Sequence, residues 1–372
     1  MYKNMKIGIL TLPLHTNYGG ILQAYALQTV LERMGHEVVV LNESRFQKLP
    51  PCKVPLIYGK RFIKKYILNR KCQIFEEQYH NRIYPIISQY TQQFIDTYIH
   101  YITPEDLSFL NPKDFDAIVV GSDQIWRSKY YPKIENAYLA FAKNWDIKRL
   151  AYAASFGTDK WEYSPIQTNK CKQLAQKFDA ISIRELSGVS LCQQYFEIEV
   201  QHVLDPTMLL DKEDYIKLFE KAKTPKSSGN MLVYVLDETQ EKTALINNIA
   251  QKKGLTPFRV NSQIENPNTP LEKRIQPPVE QWLRGFYDAE FIVTDSFHAC
   301  VFSILFGKPF IVYGNESRGM SRFESLLHLF TLEDRLTTNS NNIPLSDINW
   351  SNIEKQLAYL RIKSQNFLQE HL

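Results

Sequence analysis

Short runs dominated by apolar residues alternate with longer stretches of helical period along most of this chain. The first run, Ile7 to Leu12, ends in a His-Thr-Asn-Tyr-Gly-Gly loop. From 21 to 34, Leu27, Val30, Leu31 and Met34 then recur at i, i+3, i+4 and i+7, which is one face of a helix, and Gly35 stops it. Glu37 to Leu41 reads as the next strand. A strand, a helix and a strand within about forty residues make a βαβ unit, which requires parallel pairing and a right-handed crossover. The runs Ala117 to Val120, Leu150 to Ser155, Ala180 to Ile183 and Val200 to Leu204 extend the same sheet, with helical stretches between them.

A charged joint at Asp211 to Asp214 precedes a second series. Strands are predicted at Met231 to Leu236, Phe258 to Val260, Glu290 to Thr294 and Phe310 to Tyr313, and helices at Gln240 to Lys253, at Val279 to Tyr287 and from near Phe297. The expected fold is α/β, with two Rossmann-like domains built on parallel sheets. Residues 1–210 form the first and 211–345 the second, and 346–372 hold a terminal helix, Ile353 to Leu368, whose home domain the pattern leaves open. A length of 372 residues suits two domains.

The segment 44–112 interrupts the first domain. Within it, Phe62, Ile63, Tyr66 and Ile67 are interleaved with Lys60, Arg61, Lys64 and Lys65. From Ser44 to Phe75 there are nine basic residues and no acidic one, although the whole chain carries only +4. So small a net charge excludes a general nucleic-acid-binding surface. Two readings of the basic segment stand: a helix packed on its own domain with a solvated basic side, which is the simpler one, or a peripheral contact with an anionic membrane through 60–71. Hydrophobic residues at 44% and charged residues at 23% exclude disorder and coiled coil. The five cysteines show no C-x-x-C pair, and no apolar stretch reaches the length of a spanning helix, so a cytoplasmic protein is expected, peripheral to the membrane at most.

Ligands of open parallel sheets bind outside the carboxyl ends of the strands. Four such loops carry chemistry. Asn17-Tyr18-Gly19-Gly20 opens a helix, but G-x-G-x-x-G and a ribose-binding acid are both missing, which excludes a dinucleotide dehydrogenase. Ser122, Asp123, Gln124 and Trp126 combine short polar groups with an indole, as a sugar requires. Arg184 closes a strand, where a guanidinium can clamp a carboxylate or phosphate or simply pair with Glu185. His298 follows Asp295 and Ser296 at a strand-to-helix turn, and Arg318 and Arg322 come after the next strand, so a small-anion site is expected if the strand order brings these ends together. No His/Asp set with ligand spacing implies a metal.

These motifs, Lys6 to Gln28, Asp116 to Trp126, Ile181 to Glu185, Leu204 to Leu210 and Thr294 to Tyr313, together resemble the polysaccharide pyruvyl transferase family. The resemblance runs in order along nearly the whole chain, with 44–112 the least typical part. It implies a GT-B-like pair of domains facing a cleft, and transfer of pyruvate from phosphoenolpyruvate to two hydroxyls of a surface polysaccharide, or of its lipid-linked precursor, as a cyclic ketal with release of phosphate. Phosphoenolpyruvate is then a co-substrate, and no cofactor is implied. On the donor side the resemblance places Arg184, Ser296, His298, Arg318 and Arg322. On the acceptor side it places Asn17, Tyr18, Gly19, Gly20 and Gln23 with Ser122, Asp123, Gln124 and Trp126.

An imidazolium suits proton delivery to the methylene carbon, so His298 is assigned that step, and Asp123 or Asp295 accepts the hydroxyl proton or serves only as a cap or orienter. Many relatives carry arginine where this chain has Ser296. Either Arg318 or Arg322 supplies the missing charge, or the donor differs. A glycosyltransferase using a nucleotide sugar, with Glu316 as its ribose acid, and a non-catalytic glycan-binding protein are the competing readings.

Overall fold

The computed structural model describes residues 4–44, 49–70, 72–264, 269–314, 319–339 and 346–372. The first half holds β1 (Lys6–Leu10), β2 (Glu37–Leu41), β3 (Tyr101–Ile102), β4 (Ala117–Val120), β5 (Lys148–Ala154), β6 (Ala180–Ile183) and β7 (Gln201–His202). They form one parallel sheet in the order β3-β2-β1-β4-β5-β6-β7. The second half holds β8 (Met231–Tyr234), β9 (Pro257–Phe258), β10 (Phe291–Thr294), β11 (Phe310–Tyr313) and β12 (Leu336–Thr337), parallel in the order β12-β11-β10-β8-β9. The two-sheet α/β class follows directly from the apolar runs, because strands covered on both faces need no polar alternation, and β4, β8, β10 and β11 are buried at every position. The two-residue strands β3 and β12 are too short to leave such a trace.

Helices α1 (Tyr18–Arg33), α2 (Val54–Tyr66), α3 (Glu76–Ile87), α4 (Gln89–Tyr98), α5 (Pro165–Ala175) and α6 (Leu186–Leu191) accompany the first sheet, and α7 (Lys212–Lys221), α8 (Gln240–Lys253), α9 (Val279–Asp288), α10 (Phe297–Leu305) and α11 (Ser321–Phe330) follow. The charged stretch at 211–214 is the reciprocal capping box that starts α7. The last helix, α12 (Trp350–His371), returns to the first half. Ser364 Oγ accepts from Leu204 N at 3.0 Å, and Arg361 Nε donates to Met208 O at 2.8 Å.

Chain direction across the first sheet reverses between β1 and β4, and across the second between β8 and β10. Such reversals leave a crevice beyond the strand ends. The two crevices open toward each other, since the loops after β1, β4, β8 and β10 all line one cavity. The halves are fastened behind it. Tyr18 Oη donates to Pro277 O at 2.7 Å and its ring lies 5.4 Å from Trp282, while Arg33 grips Asp214 through two bonds of 2.9 and 2.8 Å.

Candidate active site between the two sheets

The cavity has a volume of about 790 Å³. Of the residues singled out in the sequence, Asn17, Gly19, Asp123, Gln124, Asp295, Ser296, His298 and Arg322 line it. His298 stands in the first turn of α10 and is delivered by the second half. Its ring packs against the backbone of Gly19 in α1, so closely that a Cβ at position 19 would sit 2.0 Å from Nδ1. A glycine is therefore needed there for space, since the contact leaves no room for any side chain.

The other ring nitrogen, Nε2, is buried and points at Asp205 Oδ2 across 3.6 Å, just beyond hydrogen-bond length. Asp205 is held from every side. Its Oδ1 accepts from Thr207 N and Oγ1 at 3.0 and 2.6 Å, and its Oδ2 accepts from Arg184 Nη1 at 2.7 Å. Burial by itself would raise this carboxyl, but the imidazole, the Arg184 guanidinium and the Thr207 hydroxyl outweigh it and hold Asp205 well below the usual carboxylate range. Asp123 behaves alike: burial is overcome by the positive charge of Arg184, His298 and Arg322. The backbone at Asp123 is left-handed, with φ +61°, a conformation that aspartate tolerates.

Two guanidiniums flank the ring of Phe297, Arg184 at 4.7 Å and Arg322 at 5.4 Å from its centroid. Burial first, and Arg184 second, push Arg322 down to about 10, so it keeps its charge at neutral pH. Glu185 completes this buried cluster. Its Oε1 accepts from Phe156 N at 2.8 Å, and burial raises its carboxyl despite Arg184 and Arg322.

Several sequence-based expectations require correction. Arg184 is not presented to a ligand: its side chain is 1% exposed, and its fork is occupied by Asp205 and by Asp123 at 3.1 Å. Two buried carboxylates are stronger partners than solvent, so this arginine turns inward. Trp126 is fully buried, stacked 4.6 Å from Tyr138 with Nε1 donating to Ala137 O, and offers no face to a sugar. Gln23 and Ser122 are scaffolding: Gln23 donates to Thr11 Oγ1 and Gly20 O and accepts from Ser122 N, which ties α1 to the ends of β1 and β4. Tyr18 is spent on the seam between the halves, and Gly20 stays outside the cavity lining. Asp295 lines the cavity, but its oxygens accept from Leu236 N, Asp237 N and Lys242 Nζ, at 2.7, 3.1 and 2.7 Å. That leaves it a brace for the loop after β8. Arg318 and Glu316 lie outside the described residues.

The residue the sequence reading did not single out is Asp205. It sits inside the mostly apolar segment Leu204 to Leu210, where nothing marks one carboxylate as the neighbour of a histidine 93 positions later. Among the described residues, no group of three or more His, Cys, Asp or Glu side chains is arranged to hold a metal ion.

The family model described as "Polysaccharide pyruvyl transferase" matches residues 17–317. No curated protein matches the sequence. Among solved structures, the Arabidopsis thaliana protein UGT89C1 complexed with UDP-L-rhamnose is similar with a TM-score of 0.52 at 11% identity, over 98% of each chain. A Neisseria meningitidis UDP-GlcNAc 2-epimerase bound to UDP-GlcNAc gives a TM-score of 0.47 at 12% identity, over 97% of this chain and 93% of that one. At such identities the likeness to UGT89C1 speaks for the fold alone.

Proposed function

The chain belongs to the polysaccharide pyruvyl transferase family and is a transferase, and from that premise we propose that it moves pyruvate from phosphoenolpyruvate onto two hydroxyls of a saccharide, or of its lipid-linked precursor, as a cyclic ketal. The observation that carries the reading is His298 at the cavity wall, backed by the Asp205 carboxylate and sharing the cavity with Arg322.

In this reading Arg322 attracts the donor anion, and His298, with Nε2 turned toward Asp205, shares the cavity with it. A proton passes from His298 to the methylene carbon, and C2 becomes electrophilic. One sugar hydroxyl adds to C2, the bond from C2 to the phosphate oxygen breaks, and the second hydroxyl closes the ring. Of the two hydroxyl protons, one replaces the proton His298 gave to carbon and the other leaves with phosphate. Asp123 is the carboxylate at the cavity that accepts from a hydroxyl, and the developing positive charge on the imidazole faces Asp205. Arg184 acts through Asp123 and Asp205 and is a positioning residue. Ser296 needs no cation of its own if Arg322 supplies the charge.

Calorimetric titration tests the donor. Saturable binding of phosphoenolpyruvate is expected, weakened roughly 10- to 100-fold in Arg322→Met, the usual worth of a hydrogen bond to a charged group. Binding of a nucleotide sugar with no response to phosphoenolpyruvate would move the protein to glycosyl transfer, and binding of saccharides alone would make it a lectin-like relative.

A second expectation concerns Gly19. In Gly19→Ala the new methyl takes the place of the His298 ring, so turnover should fall about 100-fold, the cost of a misplacement on the order of 1 Å. Thermal unfolding of the same variant should show a folded protein. Undiminished turnover would mean that the ring position seen here is irrelevant to the reaction.

A further inference from the structure

The segment 49–70 carries no acidic residue, yet its helix α2 buries none of its own side chains. One side of α2 is tied down: Arg61 forms a two-bond pair with Glu77 of α3 at 2.7 and 2.8 Å, and Tyr58 meets Phe75 edge to face at 5.0 Å. The opposite side is bare. Leu56, Ile63 and Ile67 recur at i, i+7 and i+11 with Phe62 and Tyr66 beside them, and all five are between 48% and 75% exposed. Lys60, Lys64 and Lys65 border this stripe. The simpler sequence expectation, a helix packed on its own domain with a solvated basic side, describes the side tied to α3 but not this exposed apolar stripe. The ion pair with Glu77 orients α2 so that its apolar residues face outward.

We propose that this face of α2 lies on an anionic membrane surface, with the aromatic and aliphatic side chains in the acyl boundary and the lysines at the headgroups. Charge decides between occupants. A second copy docked on the same face would set lysines against lysines, whereas anionic headgroups complement them. The insert is also fastened to the rim of the active-site cavity: Arg274 Nη1 donates to Tyr79 Oη of α3 at 3.2 Å, and Gln276, a cavity residue, donates its N–H to Ile87 O at 2.9 Å. A membrane under α2 therefore serves a lipid-linked acceptor, a consequence that rests on the pyruvyl transfer reading, while the membrane contact itself does not.

Co-sedimentation of the full chain with vesicles of phosphatidylcholine and phosphatidylglycerol, set against phosphatidylcholine alone, tests the proposal without any substrate. Binding is expected only to the anionic vesicles and should weaken with salt. Lys60→Gln, Lys64→Gln and Lys65→Gln together should reduce it on the order of 100-fold, at about fivefold per lysine. Phe62→Ser with Ile63→Ser should abolish it, and both sets should unfold at the wild-type temperature because these side chains pack on little. No binding by the wild type would overturn the proposal, as would binding that survives both sets of substitutions. A dimer found by light scattering and lost in Phe62→Ser with Ile63→Ser would assign the face to a second copy instead. Because phosphoenolpyruvate takes no part, a failure here and a failure of the donor titration are read independently.

Discussion

Replacement of His298 by glutamine is expected to slow pyruvyl transfer by about 10²- to 10⁴-fold while donor affinity stays within about tenfold, the pattern of a group that acts in the transition state more than in binding. Glutamine keeps a polar group at the cavity wall but cannot hand over a proton. Neither Asp123 nor Asp295 can substitute for it. Asp123 is held ionised by Arg184, His298 and Arg322, so it has no proton to give at neutral pH, and Asp295 is occupied by two backbone amides and Lys242. Phosphate release from phosphoenolpyruvate in the presence of acceptor, followed beside calorimetric donor binding, separates the two effects. Wild-type turnover in the variant would remove His298 from the chemistry, and a collapse of donor affinity with unchanged turnover at saturation would make it an anchor.

Arg184→Met should destabilise the protein by about 3–5 kcal/mol, the usual consequence of stripping one partner from a buried ion pair. Both carboxylates that face it are affected, Asp205 at 2.7 Å and Asp123 at 3.1 Å, and both are almost wholly buried. The pH dependence has a definite sign. Both carboxyls lie below their unfolded values of about 3.9 in the folded chain, so the stabilisation they provide is present above that value and is lost as pH falls beneath it. In the variant the same carboxyls lack their cation and regain neutrality by taking up protons, so the difference from wild type should narrow below about pH 4. Denaturant unfolding at pH 7 and at pH 4 measures both effects. Adding Asp205→Asn to Arg184→Met should recover part of the loss. A variant within about 1 kcal/mol of wild type at pH 7 would show that the cluster does not stabilise the fold.

The strands and loops of the site were readable because they depend on local pattern. An apolar run such as Ala117 to Val120 announces a buried strand, and the polar turn after it, Gly121 to Gln124, must then lie at the strand's carboxyl end. The same reasoning located His298 and Arg322. Exposure at those loops was not readable. Trp126 and Asp123 are three residues apart in one loop, yet the indole is sealed against Tyr138 while the carboxylate reaches the cavity. Which way each turns is settled by aromatic neighbours at 138 and 156 and by a guanidinium at 184, none of them close in sequence.

The sequence alone determined the two parallel α/β halves, the excess positive charge of the insert and the set of strand-end loops from which the site is drawn, because hydrophobic period, turn residues and charge are properties of short segments. Tertiary structure decided the partnerships. It set His298 against Gly19 and Asp205, turned Arg184 inward onto two carboxylates, left Arg322 at the cavity, and bared the apolar side of α2 by fixing Arg61 to Glu77. Each of these depends on strand order and on how the halves close on each other, and so on which buried charge finds which counter-charge once water is excluded.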